Sequence, residues 1–139
     1  MPHGWYAAVA LGEAEELILG LYQAYRRQDL DELIGGMHPD AQFRPVPSAR
    51  MYHGRDDIRL LFEHDIHLLP QFDFRVVSVQ EDGARVLLHG KNRVRDKGDV
   101  HDAPIYWVGF FRERLLHWFD AYDGIEDATN AFGAETAGA

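Results

Sequence analysis

The chain has 139 residues and carries 23 Asp and Glu against 14 Lys and Arg, a formal net charge of -9 at pH 7. Hydrophobic residues make up 46% and charged residues 27%, the proportions of a folded domain rather than a disordered chain. The negative field disfavours nucleic acid and anionic membrane surfaces as partners, and the absence of cysteine excludes disulfides, thiolate metal ligands and Cys nucleophiles.

The first apolar stretch, Trp5 to Leu11, is too short to span a bilayer and lacks the basic start of a signal peptide, so the expectation is a cytoplasmic protein. Leu17, Ile18, Leu21, Tyr22 and Tyr25 then fall on one face at helical spacing. After a polar break at Gln28-Asp29, Leu30, Leu33, Ile34 and Met37 repeat the pattern, and Pro39 ends that second helix. A short hairpin is expected within Gln42 to His53, with Pro45 and Pro47 marking an edge or bulge. A third helix is expected to start after Gly54 and run to about His67, with Ile58, Leu61 and Phe62 as its apolar face and Pro70 closing it.

Beyond Pro70 the hydrophobic period changes to two. Strands are expected from Phe72, from Arg85 to Arg95, from Ile105 to Phe111 and from Leu115 to Tyr122, joined by turns at Glu81-Asp82-Gly83, Asp96 to Asp99 and Glu113-Arg114. Short connections imply an antiparallel meander. The fold class is therefore α+β, with three N-terminal helices packed on one face of an antiparallel sheet. A single domain over residues 1–132 is expected, followed by a frayed Gly/Ala-rich tail at 133–139. Because the last two strands are apolar on both faces, a homodimer through Tyr106, Val108, Phe110 and Phe119 is expected to cover the outer face.

Two stretches carry a resemblance. Tyr52-His53-Gly54-Arg55-Asp56-Asp57-Ile58 is similar to the turn into the third helix, and Trp118-Phe119-Asp120-Ala121-Tyr122-Asp123 to the final strand, of the nuclear transport factor 2-like superfamily. Within it the chain resembles SnoaL-like polyketide cyclases and limonene epoxide hydrolases. The resemblance implies a cone-shaped α+β fold with a pocket between helices and a curved sheet, no cofactor, and a small apolar ligand as partner; no metal is expected either, on the spacing of the histidines. It also implies Asp120 as a catalytic acid/base facing that pocket. Pairing Arg112 with Leu115 would set Trp107 opposite Asp120, so that Asp120 shares a face with Trp107, Trp118 and Tyr122 and meets no Arg or Lys.

The rest of the hydrolase pattern is missing. The positions of its water-holding Tyr and Asn fall at Phe43 and Pro45, and those of its Arg and second Asp at Gly90 and Asn92, so epoxide hydrolysis is not implied. The pocket expected from this reading takes Tyr22 and Tyr25 from the helices and Phe43, Asn92, Val94, Ile105, Trp107, Trp118 and Tyr122 from the sheet. Tyr22 and Tyr25 also read as ordinary core aromatics, and Asn92, placed near Asp120, reads equally as a core hydrogen-bonding group. His64 and His67, one helical turn apart, have no third ligand at fixed spacing. Lys91, Arg93, Arg95 and Lys97 alternate as a solvated face opposing acidic neighbours. Two functions follow: a cofactor-independent enzyme using Asp120 for cyclisation, isomerisation, dehydration or hydrolysis of a ring-bearing substrate, or a non-catalytic ligand-binding or dimerising domain.

Overall fold

The computed structural model describes residues 12–68 and 72–134, with the side chains of 65–68, 72–73 and 94–96 left out. The Trp5–Leu11 stretch, the side chains of His67 and Val94, Pro70 and the tail beyond Ala134 therefore lie outside the described residues. The chain forms α1 (Glu13–Arg27), α2 (Leu30–Gly35), β1 (Met37–Phe43), β2 (Tyr52–His53), α3 (Gly54–Leu68), β3 (Phe72–Asp82), β4 (Arg85–Asp96), β5 (Asp99–Arg112), β6 (Leu115–Tyr122) and α4 (Ile125–Gly133). The six strands make one sheet in the order β2-β1-β6-β5-β4-β3.

Local chemistry explains the helix boundaries. Gln28 adopts a left-handed conformation that stops α1, and the Asp29 carboxylate accepts from Glu32 N at 3.2 Å to start α2. Gly54 has φ 83°, and the Asp57 carboxylate accepts from His53 N at 3.0 Å at the head of α3. Arg50 binds both Asp57 oxygens and lies 3.8 Å from the centre of the Tyr52 ring. With that guanidinium and the His53 N–H against it, the Asp57 carboxyl is held down at about 2. Arg55 Nε donates to Met37 O at 2.8 Å. The sequence Tyr52 to Ile58 is thus a joint that locks α3 to β1.

Three features depart from expectation. Strand β1 begins at Met37, so His38-Pro39-Asp40 lies in a strand rather than ending a helix. The proline is tolerated because β2 pairs only with Gln42 and Phe43, which leaves the first part of β1 unpaired on that side. Strand β1 also runs parallel to β6, an addition to the antiparallel meander of β3 to β6. Third, a fourth helix follows β6. Its buried Ala128, with Ala131 and Phe132, packs on Leu87 and Val108 of the convex sheet face. Val108 is thereby only 1% exposed, and Phe119 belongs to the main core on the other side, so the expected dimer patch is in part covered by the chain itself. The main core lies between α1, α2, α3 and the concave face, around Ile18, Met37, Ile58, Val86 and Phe111.

Candidate functional site

The concave face and the helices enclose a cavity of about 100 Å³. Its wall is almost wholly apolar. Ile18, Leu21, Tyr22 and Tyr25 line it from α1, Phe43 and Pro45 from β1 and the loop that follows, and Phe62 from α3. Phe74, Val76, Leu88, Trp107 and Phe119 line it from the sheet. Four rings form a continuous aromatic wall. Phe43 stacks on Phe119 at 4.8 Å, Trp107 lies 6.2 Å from Phe119, and Phe74 meets Trp107 edge-on at 5.9 Å.

Two of the polar tips point at backbone. Tyr22 Oη donates to Phe74 O at 2.9 Å, and Trp107 Nε1 donates to Pro45 O at 2.9 Å, which ties the loop after β1 to the sheet. Gly90 lies under the Trp107 ring: a Cβ there would come within 2.6 Å of Trp107 Cζ3 and 2.5 Å of Arg75 O. Glycine is what lets the indole lie against β4.

Asp120 is not part of this wall. The turn at Glu113-Arg114 does pair Arg112 with Leu115, both turn residues adopting positive φ. The register then slips between Phe110 and Phe111, so that Phe111 faces Leu116 while Phe110 faces Trp118. His117 is the extra residue. One inserted residue reverses every side chain beyond it. Trp107 therefore opposes Ala121 and Val108 opposes Asp120, which corrects the expected Trp107–Asp120 pairing. Phe119 takes the cavity side. Asp120 lies on the other face with Trp118 and Tyr122, next to the Leu87–Val108–Ala128 cluster.

A cation also faces Asp120, contrary to expectation. Arg44 Nε lies 2.7 Å from Asp120 Oδ1 and Arg44 Nη2 3.3 Å from Oδ2, and Ala121 N donates to Oδ1 at 2.9 Å. Asp120 is 7% exposed. Burial and the adjacent Asp120 carboxylate push the Tyr122 hydroxyl up to about 12. That carboxylate is tied down by the Arg44 guanidinium and the Ala121 N–H rather than presented to an apolar ligand.

The remaining expected residues divide. Ile105 is buried in the main core, and Asn92 lies on the Leu88 and Gly90 side of β4, away from Asp120. His64 is exposed. Among the described residues no group of three or more His, Asp or Glu side chains could hold a metal ion. Arg93 pairs with Asp102 at 3.1 Å and, chiefly through that hydrogen bond, holds its carboxyl below the usual range. Sequence reasoning missed Phe74, Phe119, Pro45 and Arg44. Phe119 and Arg44 could not be placed without the bulge, whereas the alternation of Phe72, Phe74 and Val76 already marked Phe74 as one-sided.

No curated protein matches the chain in sequence at a significant level. Among solved structures, the epoxide hydrolase/cyclase-like enzyme SalBIII, described in pyran ring formation in the polyether salinomycin, superposes with TM-score 0.69 at 13% identity, covering 85% of this chain and 95% of that one. TerC co-crystallized with polyporic acid gives 0.68 at 19% identity, with 86% and 96% covered. An M. tuberculosis LEH-like epoxide hydrolase gives 0.65 at 13% identity, with 86% and 88% covered. An NTF2-like protein from Burkholderia pseudomallei superposes with TM-score 0.65 at 19% identity, covering 87% of this chain and 98% of that one, and the fold is nuclear transport factor 2-like. The SnoaL-like domain model matches residues 18–123, a span that holds the cavity, its aromatic wall and the Arg44–Asp120 pair, and the chain belongs to the SnoaL-like domain family.

Proposed function

We propose that the protein binds a compact, largely apolar, ring-bearing molecule in the concave cavity, and that Asp120 serves the scaffold rather than proton transfer to that ligand. One observation carries this reading: the cavity wall is apolar, while the buried carboxylate sits on the opposite sheet face against Arg44. Stacked and edge-on rings at Phe43, Phe74, Trp107 and Phe119 suit a flat ring system.

The enzymatic reading keeps Asp120 as acid/base in a cofactor-independent cyclisation, isomerisation, dehydration or hydrolysis. It is favoured by similar folds described as an epoxide hydrolase and an epoxide hydrolase/cyclase-like enzyme. Asp120→Asn separates the two. Ligand binding predicts that naphthalene affinity, measured by calorimetry, stays within about twofold of wild type, and that no turnover depends on the carboxylate; a reaction abolished by the substitution overturns it.

A cytoplasmic homodimer belongs to the same proposal. The half-buried Tyr106, Trp118 and Tyr122 beside α4 support it as the contact surface. A sedimentation mass of one chain at high micromolar concentration would contradict it.

A further inference from the structure

Asn92 Oδ1 is buried and has no hydrogen-bond partner. Asn92 pairs with Phe74 on β3 and Ala103 on β5, one same-face step along β4 from Gly90. Gly90 lies under the benzo edge of Trp107, and Trp107 and Phe74 meet edge-on at 5.9 Å. Asn92 is not among the residues that line the cavity, so the orphaned acceptor stands just beyond the outer margin of the aromatic wall, next to Phe74. Of the other polar groups at the cavity, Tyr22 Oη is spent on Phe74 O and Trp107 Nε1 on Pro45 O.

A buried acceptor without a donor carries an uncompensated desolvation cost that a matching ligand group removes. An apolar ring alone would leave it unpaired, and an ether or carbonyl would set acceptor against acceptor. We propose that the ligand of this cavity is a hydroxylated ring compound whose O–H donates to Asn92 Oδ1, the ring lying against Trp107 and Phe74. The proposal rests on the cavity being a ligand site and adds the class of ligand and the residue that selects it. The recognition is asymmetric, because a site with a fixed polar group discriminates most strongly against the analogue that cannot pair with it.

The test uses three probes of one shape: 2-naphthol, which donates; 2-methoxynaphthalene, which only accepts; and naphthalene, which does neither. Calorimetry on the full chain should give 2-naphthol at least about tenfold tighter binding than either analogue, the order expected of one buried hydrogen bond. In Asn92→Leu this preference should vanish through weaker naphthol binding, while naphthalene affinity stays within about threefold. The variant should melt no lower than wild type, since it removes an unpaired buried acceptor. A measurement on unaltered protein backs this up: the Asn92 side-chain amide resonances should move on titration with 2-naphthol and stay still with naphthalene. Equal binding of the three probes, or a naphthol preference that survives Asn92→Leu, overturns the hydroxyl anchor and leaves the cavity reading standing. Failure of all three to bind overturns both.

Discussion

Arg44 and Asp120 meet behind the cavity, Nε to Oδ1 at 2.7 Å, each immediately following a phenylalanine that faces into it. Phe43 and Phe119 stack on the concave side at 4.8 Å; Arg44 and Asp120 pair on the convex side. Arg44 N donates to Phe119 O at 2.9 Å between them. The ion pair fixes the register of β1 against β6, and with it the two rings.

This coupling makes a stability prediction. Arg44→Ala leaves the buried Asp120 carboxylate without its cation and should cost about 1–3 kcal/mol in denaturant unfolding. Asp120→Asn should cost less, because the Arg44 side chain is 34% exposed and can turn to water. The double substitution should cost clearly less than the sum of the two. Strict additivity would show that the pair does not hold the strands together.

Alkaline pH offers a second check, through Tyr122. Burial first, then the Asp120 charge, push its hydroxyl up to about 12, against about 10 in the unfolded chain. The fold thus holds the proton more tightly than the unfolded state. The stability this confers is full below pH 10 and lost as pH rises through 12. Tyr122→Phe should flatten the fall in melting temperature across that window; an unchanged alkaline limb would contradict the assignment.

A third outcome concerns Gly90. Its added Cβ would meet Arg75 O at 2.5 Å, and a strand carbonyl cannot swing aside as a side chain can. Gly90→Ala should destabilise by about 1–3 kcal/mol and displace the Trp107 ring. Near-ultraviolet circular dichroism and thermal melts read both effects. A variant with wild-type melting and an unchanged indole band would mean that Trp107 is not seated on β4.

How much of this was legible in the sequence follows from the kinds of interaction involved. Helices α1 and α3 and the turns at Gly83, Gly98 and Glu113-Arg114 are local matters of periodicity and backbone freedom, and they stand in the sequence. So does the hairpin contact of Gln42 with His53. The bulge at His117 is not local: it reconciles Phe111 and Leu116 inside the core with Val108 and Trp118 under α4, and no residue type announces it. Asp120 changed faces for that reason alone. Arg44 was invisible as its partner because β1 reaches β6 by a parallel crossover, 76 residues away in the chain. Helix α4 was readable after all. Ile125, Ala128 and Phe132 keep helical spacing behind Gly124, with Glu126 and Asp127 in the first turn, although the expectation from sequence placed no element between Tyr122 and the tail at 133–139.

A ring-bearing ligand that enters the concave cavity leaves the Asp120 face untouched. The two described indoles report on the two faces, Trp107 in the cavity wall with Nε1 on Pro45 O, Trp118 beside Tyr122 on the convex side. Titrating naphthalene into the nitrogen-15-labelled protein should shift the Trp107 indole N–H resonance progressively and saturably while that of Trp118 stays in place. Movement of the Trp118 resonance with Trp107 unchanged would put the ligand beside Asp120 and contradict binding in the cavity.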